Sequence, residues 1–416
     1  MSALTYWIWL SERKGLRPET REKLLDVFGD PQDIYFASEQ ELKALPLSRN
    51  ELSSLLDKSM DEPRRILDSC IRLDVRIHTI RDVAYPNRLR NIYDPPLLLY
   101  VLGRLPAIDD MAAIAVVGTR KATPYGVKMG RRMGYELTKG GALVVSGLAE
   151  GVDSAAAQGA IRAGGSCIGV LGTGIDQVYP RFNQFLFEDV QSVGALVSEY
   201  PPGAPISKGS FPRRNRILSG LSCGVVVIEA PEKSGALITA ARALEQGRDL
   251  FAVPGNVDSP NCEGSNALIK DCAKAVTSGA DVLCEYIHLY EGVRLLSGVE
   301  ARIPQEEEPE QDLEQNRKQE RPEREEKQFF RFRSKKESKP QPQTKAVPVK
   351  TVLEGLSEQQ LKLVAAMTKP SMHIDEIIEN SGLSAADALS EMTMLEIEGV
   401  VRQESGKYFS LNVSES

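Results

Sequence analysis

Between residues 208 and 220 the chain gathers the groups that would hold an anion. Phe211-Pro212-Arg213-Arg214-Asn215-Arg216-Ile217-Leu218-Ser219-Gly220 carries three arginines and a phenylalanine, and Lys208 stands three residues before the ring. A guanidinium presents a planar fork of donors that matches phosphate or carboxylate. Cations beside an open aromatic face are the equipment of a platform for single-stranded nucleic acid. The segment runs into Val225–Ile228, which is short, β-branched and flanked by glycine, as a parallel-sheet strand covered on both faces would be. The basic cluster therefore sits on rigid scaffold and not on a solvated tail. Competing uses stay open: internal ion pairs for Arg213 and Arg216, plain solvation for Lys208.

Other groups stand at glycine-containing turns that follow apolar runs, where open α/β sheets bind their ligands. Gly118-Thr119-Arg120 follows the first run and lacks the GxGxxG spacing of a dinucleotide site. Ser146-Gly147-Leu148-Ala149-Glu150-Gly151-Val152-Asp153 follows the second, and its backbone amides suit either a phosphate or ordinary helix capping. Gly172-Thr173-Gly174-Ile175-Asp176 follows the third and leads to Tyr179-Pro180, read as a structural turn. Ser198-Glu199-Tyr200-Pro201-Pro202 follows the fourth and runs on to Lys208.

Catalysis finds little support. The three histidines, His78, His288 and His373, avoid these turns, which removes the usual general base at neutral pH. Glu199 and Glu229 are carboxylates at strand ends, but no GxSxG elbow, HExxH helix or GxxxxGK[ST] loop accompanies them. The reading is a binding protein without enzyme activity, cofactor or metal. Six cysteines, Cys70, Cys167, Cys223, Cys262, Cys272 and Cys284, show no metal-ligand spacing and read as reduced core thiols of a cytoplasmic protein. No apolar stretch is long enough for a membrane span, and Met1–Leu10 lacks the layout of an export signal.

The elements that must position these groups follow from periodicity. Apolar runs at Ile114–Val117, Leu143–Val145, Ile168–Leu171, Ala195–Val197, Val225–Ile228 and Leu250–Val253 alternate with helical spacers, which predicts a doubly wound, Rossmann-like α/β sheet. Before it, residues 1–80 read as a small helical module in which Ser38 caps Glu39–Leu45. The sheet domain is expected over 81–290. Residues 291–350 collapse to Glu, Gln, Lys, Arg and Pro and read as a disordered charged linker, with Phe329-Phe330-Arg331-Phe332-Arg333 as its basic part. Residues 351–416 follow a helix, helix, helix, hairpin pattern, a winged-helix outline.

Charge separates these segments. The 416 residues carry a formal net charge of −7, yet residues 112–290 hold 17 Lys and Arg against 16 Asp and Glu. Local clusters thus set the field over the sheet domain. Residues 351–416 hold 4 basic and 11 acidic residues, and the third helix of the winged outline, Ser384–Glu398, has no Lys or Arg. Phosphate would be repelled there, so that domain reads as a protein-contact or regulatory module and not as a groove reader.

Taken in order, Gly118-Thr119-Arg120, Ser146 to Asp153, Ser198-Glu199-Tyr200-Pro201-Pro202-Gly203, Phe211 to Ile217, Ser234-Gly235-Ala236-Leu237-Ile238-Thr239-Ala240 and Phe251-Ala252-Val253-Pro254-Gly255 resemble the DprA/Smf family of DNA-processing proteins. The likeness spans about Tyr85 to Asp281, and the flanks are similar to that family's sterile-alpha-motif or helix-hairpin-helix-like and winged-helix modules. It implies a homodimer that binds single-stranded DNA, protects it during natural transformation and loads the recombinase RecA onto it. Carried onto this chain, the implied pocket comprises Arg120, Lys208, Phe211, Arg214 and Asn215, with Ser146 and Gly147 lining it and Arg213 beside it. One departure is Lys270-Asp271-Cys272-Ala273, where the family tends to have a glycine-rich turn.

Two other classes compete. The sheet domain also resembles lysine-decarboxylase-like nucleotide phosphoribohydrolases, but their PGGxGT motif is replaced here by Glu229-Ala230-Pro231-Glu232-Lys233-Ser234-Gly235. A winged-helix regulator with an attached sensor domain fails on the acidic third helix unless the linker supplies the charge.

Overall fold

The computed structural model describes residues 2–296 and, beyond them, 347–348, 357–367, 372–384, 388, 391–392, 395, 400–404, 408–411 and 413–414. The chain divides into two compact units, Met1–Glu310 and Gln311–Ser416. The sequence expectations for most of the charged linker, including Phe329–Arg333, and for most of the third winged-type helix lie outside the described residues.

The first unit opens with six helices: α1 (Ala3–Ser11), α2 (Pro18–Phe28), α3 (Pro31–Phe36), α4 (Glu39–Lys43), α5 (Arg49–Leu56) and α6 (Asp61–Arg72). Ser38 caps α4 as its position predicts, in a capping box with Glu41. Trp7 and Trp9 of α1 are buried, and the Trp9 indole donates to the Asp57 carbonyl at 2.9 Å. These helices share one hydrophobic core with a face of the sheet that follows.

That sheet has nine strands: β1 (Arg76–Thr79), β2 (Leu98–Gly103), β3 (Ala113–Val117), β4 (Leu143–Ser146), β5 (Cys167–Leu171), β6 (Ala195–Ser198), β7 (Gly224–Val227), β8 (Asp249–Ala252) and β9 (Lys274–Ala275), in the order β1-β2-β6-β5-β4-β3-β7-β8-β9. Six of them are the runs read from the sequence, and they pair in parallel. The sequence reading lacked β1 and β2, which close one edge antiparallel against β6, and the short β9 at the other edge. The first of these strands starts at Arg76, inside the segment expected to be helical. The helices of this region are α7 (Asn87–Arg90), α8 (Pro124–Lys139), α9 (Val152–Arg162), α10 (Gln184–Val193), α11 (Ser210–Leu221), α12 (Gly235–Glu245), α13 (Glu263–Asp271) and α14 (Gly279–Leu283).

Side chains alternate between two cores, as the period of a strand requires. Ile114 and Val116 of β3 face the core shared with the N-terminal helices, α8 and α9, while Ala113, Ala115 and Val117 face the core under α11 and α12. Four of the six cysteines are buried or half-buried, all six are free, and Cys272 and Cys284 are exposed, so these two are not core thiols. Both lie where short helices end, beyond the reach of either core.

In the second unit, the helix Glu358–Ala366 is capped by Ser357, a second helix spans Ile374–Ser381, and the strands Val401–Glu404 and Tyr408–Leu411 pair antiparallel as a wing. Among the described residues, no helix is long and apolar enough to cross a membrane.

The helices α8 and α9 approach closely because glycine stands at the crossing. A Cβ at Gly134 would collide with the Ala156 carbonyl oxygen, and one at Gly159 with that of Arg131. Backbone cannot yield as a side-chain tip can, so Gly159→Ala should cost about 1–3 kcal/mol by overpacking. The check is a lower urea midpoint at unchanged slope, with Gly235→Ala as control, since nothing lies within 4 Å of a Cβ there.

Candidate functional site

The segment rich in arginine is a helix, α11, and its N-terminus is pinned to the turn after β5. The Ser210 hydroxyl bonds the Gly172 and Ser207 carbonyls. Phe211 then packs on Gly172, where a Cβ would lie 2.8 Å from its ring. At about 100° per residue, successive arginines on a helix point in different directions. Arg213, Arg214 and Arg216 accordingly have three different environments.

Arg214 points inward beneath the ends of β4 and β5. It is 4% exposed, donates from Nη1 to the Gly147 carbonyl at 2.9 Å and to the Val170 carbonyl, and from Nε to Asn215 at 3.3 Å. Its counter-charge is Asp153 in the first turn of α9. The Asp153 carboxylate accepts the Gly118 amide at 3.3 Å and also the Gly147 amide, with Arg214 and Arg120 opposite. Burial pushes Asp153 up to about 6, against the pull of Arg214, and lowers Arg214 to about 10. Position 147 must be glycine because a Cβ would come within 2.5 Å of the Asp153 carboxylate and 2.6 Å of the Arg214 guanidinium.

Above this pair lies a pocket of about 60 Å³, space on the order of two waters or one tetrahedral anion. Arg120, Gly147, Phe211 and Arg214 line it together with Glu150 and Tyr179. Arg120 is exposed, and its guanidinium stands 5.3 Å from the centre of the Phe211 ring, a cation–π contact. Tyr179 tilts against the same ring at 5.2 Å.

Four of the residues expected at the site thus meet in one pocket, and the other four do not line it. Ser146 is fully buried, its hydroxyl donating to the Asp153 carbonyl at 2.8 Å and accepting the Leu148 amide at 3.1 Å, so it braces the turn. Asn215 is 8% exposed and donates to the Gly235 carbonyl at 3.2 Å, tying α11 to the start of α12. Arg213, half-exposed, lies 3.5 Å from Glu199. Lys208 is exposed in the loop before α11, with no ion-pair partner among the described residues. The sequence reading offered the amides near Gly147 to a phosphate, but Asp153 already holds those of Gly118 and Gly147.

Arg216 took its alternative use. Its guanidinium reaches Glu199 at 2.6 Å and Asp94 at 3.1 Å, and Asp94 also takes Arg21 of α2 at 3.3 Å. The network bolts the helical segment to the sheet. Two residues of the site were missed from sequence: Asp153, quoted only as part of a turn, and Tyr179, assigned turn duty. Spacing in the chain held no sign that Tyr179 would meet Phe211, which lies 32 residues later in the sequence.

Residues 76–287 match the family described as DNA recombination-mediator protein A, and residues 347–407 match the DprA winged helix domain. The chain is similar to Protein Smf of Synechocystis sp., 36% identical over 294 residues that cover 68% of this chain and 72% of that protein. It is also similar to DNA processing protein DprA of Bacillus subtilis, 39% identical over 245 residues covering 59% and 81%. Among solved structures, DNA processing protein A (DprA) from Streptococcus pneumoniae superposes with a TM-score of 0.60 at 34% identity, covering 68% of this chain and 99% of that one.

The buried carboxyl should leave a trace in stability. A carboxyl raised from its ordinary 3.8 to about 6 binds its proton more tightly when folded. Its contribution is therefore fully present below about pH 4 and is lost as pH rises through about 6, by on the order of 2–3 kcal/mol. Between pH 4 and 7, urea midpoints of Asp153→Asn should lack this falling component. Parallel profiles for variant and wild type would contradict it.

Proposed function

Because the chain belongs to the DprA/Smf family of DNA-processing proteins, we propose that its pocket binds single-stranded DNA, and that the protein shields the strand and passes it to the recombinase RecA during natural transformation and homologous recombination. The observation that carries this reading is the meeting of Arg120, Gly147, Phe211 and Arg214 at the ends of β4 and β5, over a buried charge pair. Arg120 is the exposed cation that meets a phosphate. Lys208 neutralises a neighbouring one along the strand, and Arg213 adds a third charge once it leaves Glu199. Arg214 is almost wholly buried and only lines the pocket floor; it acts from below as a fixed positive charge in a medium of low dielectric, where Coulomb attraction is stronger than in water. Asn215 and Ser146 hold the helix and the turn in place for it. Phe211 offers its ring edge and the face that Arg120 vacates to a base.

Such binding reads backbone and π-faces, so it carries little sequence preference and weakens with salt. The chemistry is non-covalent and needs no cofactor. The nucleotide-hydrolase alternative would need the PGGxGT motif with its trailing glutamate, which Glu229 to Thr239 lacks, and Glu229 is engaged with Thr123, the N-cap of α8, accepting its amide at 2.9 Å and its hydroxyl at 2.5 Å. A homodimer in the cytoplasm would offer two pockets to one strand, and joining them raises effective concentration without new contacts.

The experiment is fluorescence anisotropy with labelled oligo-dT and a duplex of equal length, each titrated at several salt concentrations. Wild type should prefer the single strand. Arg120→Ala or Lys208→Ala should weaken it and flatten the slope of log affinity against log salt by about 1. Slopes identical to wild type in both variants would remove these residues from the interface, and equal affinity for duplex would remove the single-strand reading.

A further inference from the structure

Beside the pocket, the chain exposes more aromatic surface than a globular surface needs. Tyr179 is 42% exposed, Phe182 67% and Phe185 79%. The last two face outward where the chain enters α10, while Leu186, Phe187 and Val190 on the other side of that helix are buried. Large apolar rings this open and this close together mark a contact surface and not a core remnant.

The segment is fixed to the pocket's rim. Tyr179 and Pro180 form part of the pocket wall. Asn183, between the two phenylalanines, is buried and donates from Nδ2 to the Leu148 carbonyl at 3.1 Å and to the Ser154 hydroxyl at 2.7 Å. Leu148 belongs to the same turn as Gly147, so the rings are held in register with the site. Arg181 is exposed among them, without an ion-pair partner among the described residues. Phe211, by contrast, has Arg120 over its ring and Tyr179 against it, and Gly172 closes on its edge. The freest π-surface next to the pocket is therefore not Phe211.

We propose that Tyr179, Phe182 and Phe185, with Arg181, form a stacking track on which a single strand leaving the Arg120–Phe211 pocket lays its next bases. This rests on the single-strand reading of the pocket. Aromatic rings interleaved with a free cation and continuous with an anion pocket fit bases and phosphates together, whereas an apolar protein partner would gain nothing from Arg181 or from continuity with the pocket. The track ends where α10 turns acidic at Glu188 and Asp189, which repel the backbone. Phe182 and Phe185 are three residues apart, about 5 Å of helical rise, so each ring can serve a separate base.

The test uses the full chain and labelled oligo-dT of about 2 and about 20 nucleotides, the short one filling the pocket and the long one reaching beyond it. The double variant Phe182→Ala, Phe185→Ala should bind the long oligomer about tenfold or more weakly, with the short one and the salt slope unchanged, because stacking releases no counterions. The variant Phe182→Trp should retain long-strand affinity, and the fluorescence of its introduced indole should be quenched on binding. Wild-type affinity of the double variant for the long oligomer, or no quenching in the Phe182→Trp variant, would overturn the track while leaving the pocket reading standing. Equal loss for both lengths would overturn it too, as damage to the pocket. A changed oligomeric state in sedimentation with unchanged DNA binding would assign the face to a second copy of the chain. If wild type binds neither oligomer, the pocket reading itself fails, and the track with it.

Discussion

A guanidinium buried under the ends of β4 and β5 is expensive, and much of the site's geometry is what makes it tolerable. An unpaired charge there would cost several kcal/mol. Arg214 is held by one carboxylate and by the carbonyls of Gly147, just past the end of β4, and of Val170, in β5 one residue beyond its last pair with β4. The arrangement dictates its neighbours. Position 147 has no room for a side chain, Asp153 must stand in the first turn of α9, and α11 must enter with Ser210 locked to the turn after β5. Phe211 follows from that entry angle, and with it the wall of the pocket.

The same helix carries a second charge centre facing elsewhere. Arg216, 7% exposed, shares Glu199 with Arg213 and Asp94 with Arg21. It joins the helical segment, the loop before β2, the end of β6 and α11. A buried network of this kind is weak evidence for stability, since its desolvation offsets much of its attraction. What it does supply is orientation. The N-terminal helices share the core on one sheet face by non-directional packing, and the ion pairs from Arg21 through Asp94 to Arg216 tie α2 to α11.

The position of the pocket is also a matter of occupancy. In a doubly wound sheet the crevice is expected where the strand order reverses, here between β3 and β7. That place is closed: the Glu229 carboxylate holds Thr123, the N-cap of α8, and its carbonyl accepts the Thr119 amide at 2.7 Å. The open space moves to the ends of β4 and β5, where α11 supplies the charge.

The sequence by itself determined the six parallel strands, because β-branched runs flanked by glycine have few other places to go than a sheet covered on both faces. It determined which turns would lie at the strand ends, hence that Arg120, Gly147 and the α11 segment would come near one another. It left out β1 and β2, short antiparallel edge strands whose pairing depends on β6 almost a hundred residues later. Only the tertiary structure decided which arginine does what. Three arginines in four positions are indistinguishable by composition, and the rotation of α11 about its axis, set by Ser210 and by the core beneath it, turned one toward solvent, one under the pocket and one into an ion-pair network. It also brought Tyr179 against Phe211, since two turns on different strands converge only when the sheet has twisted and packed.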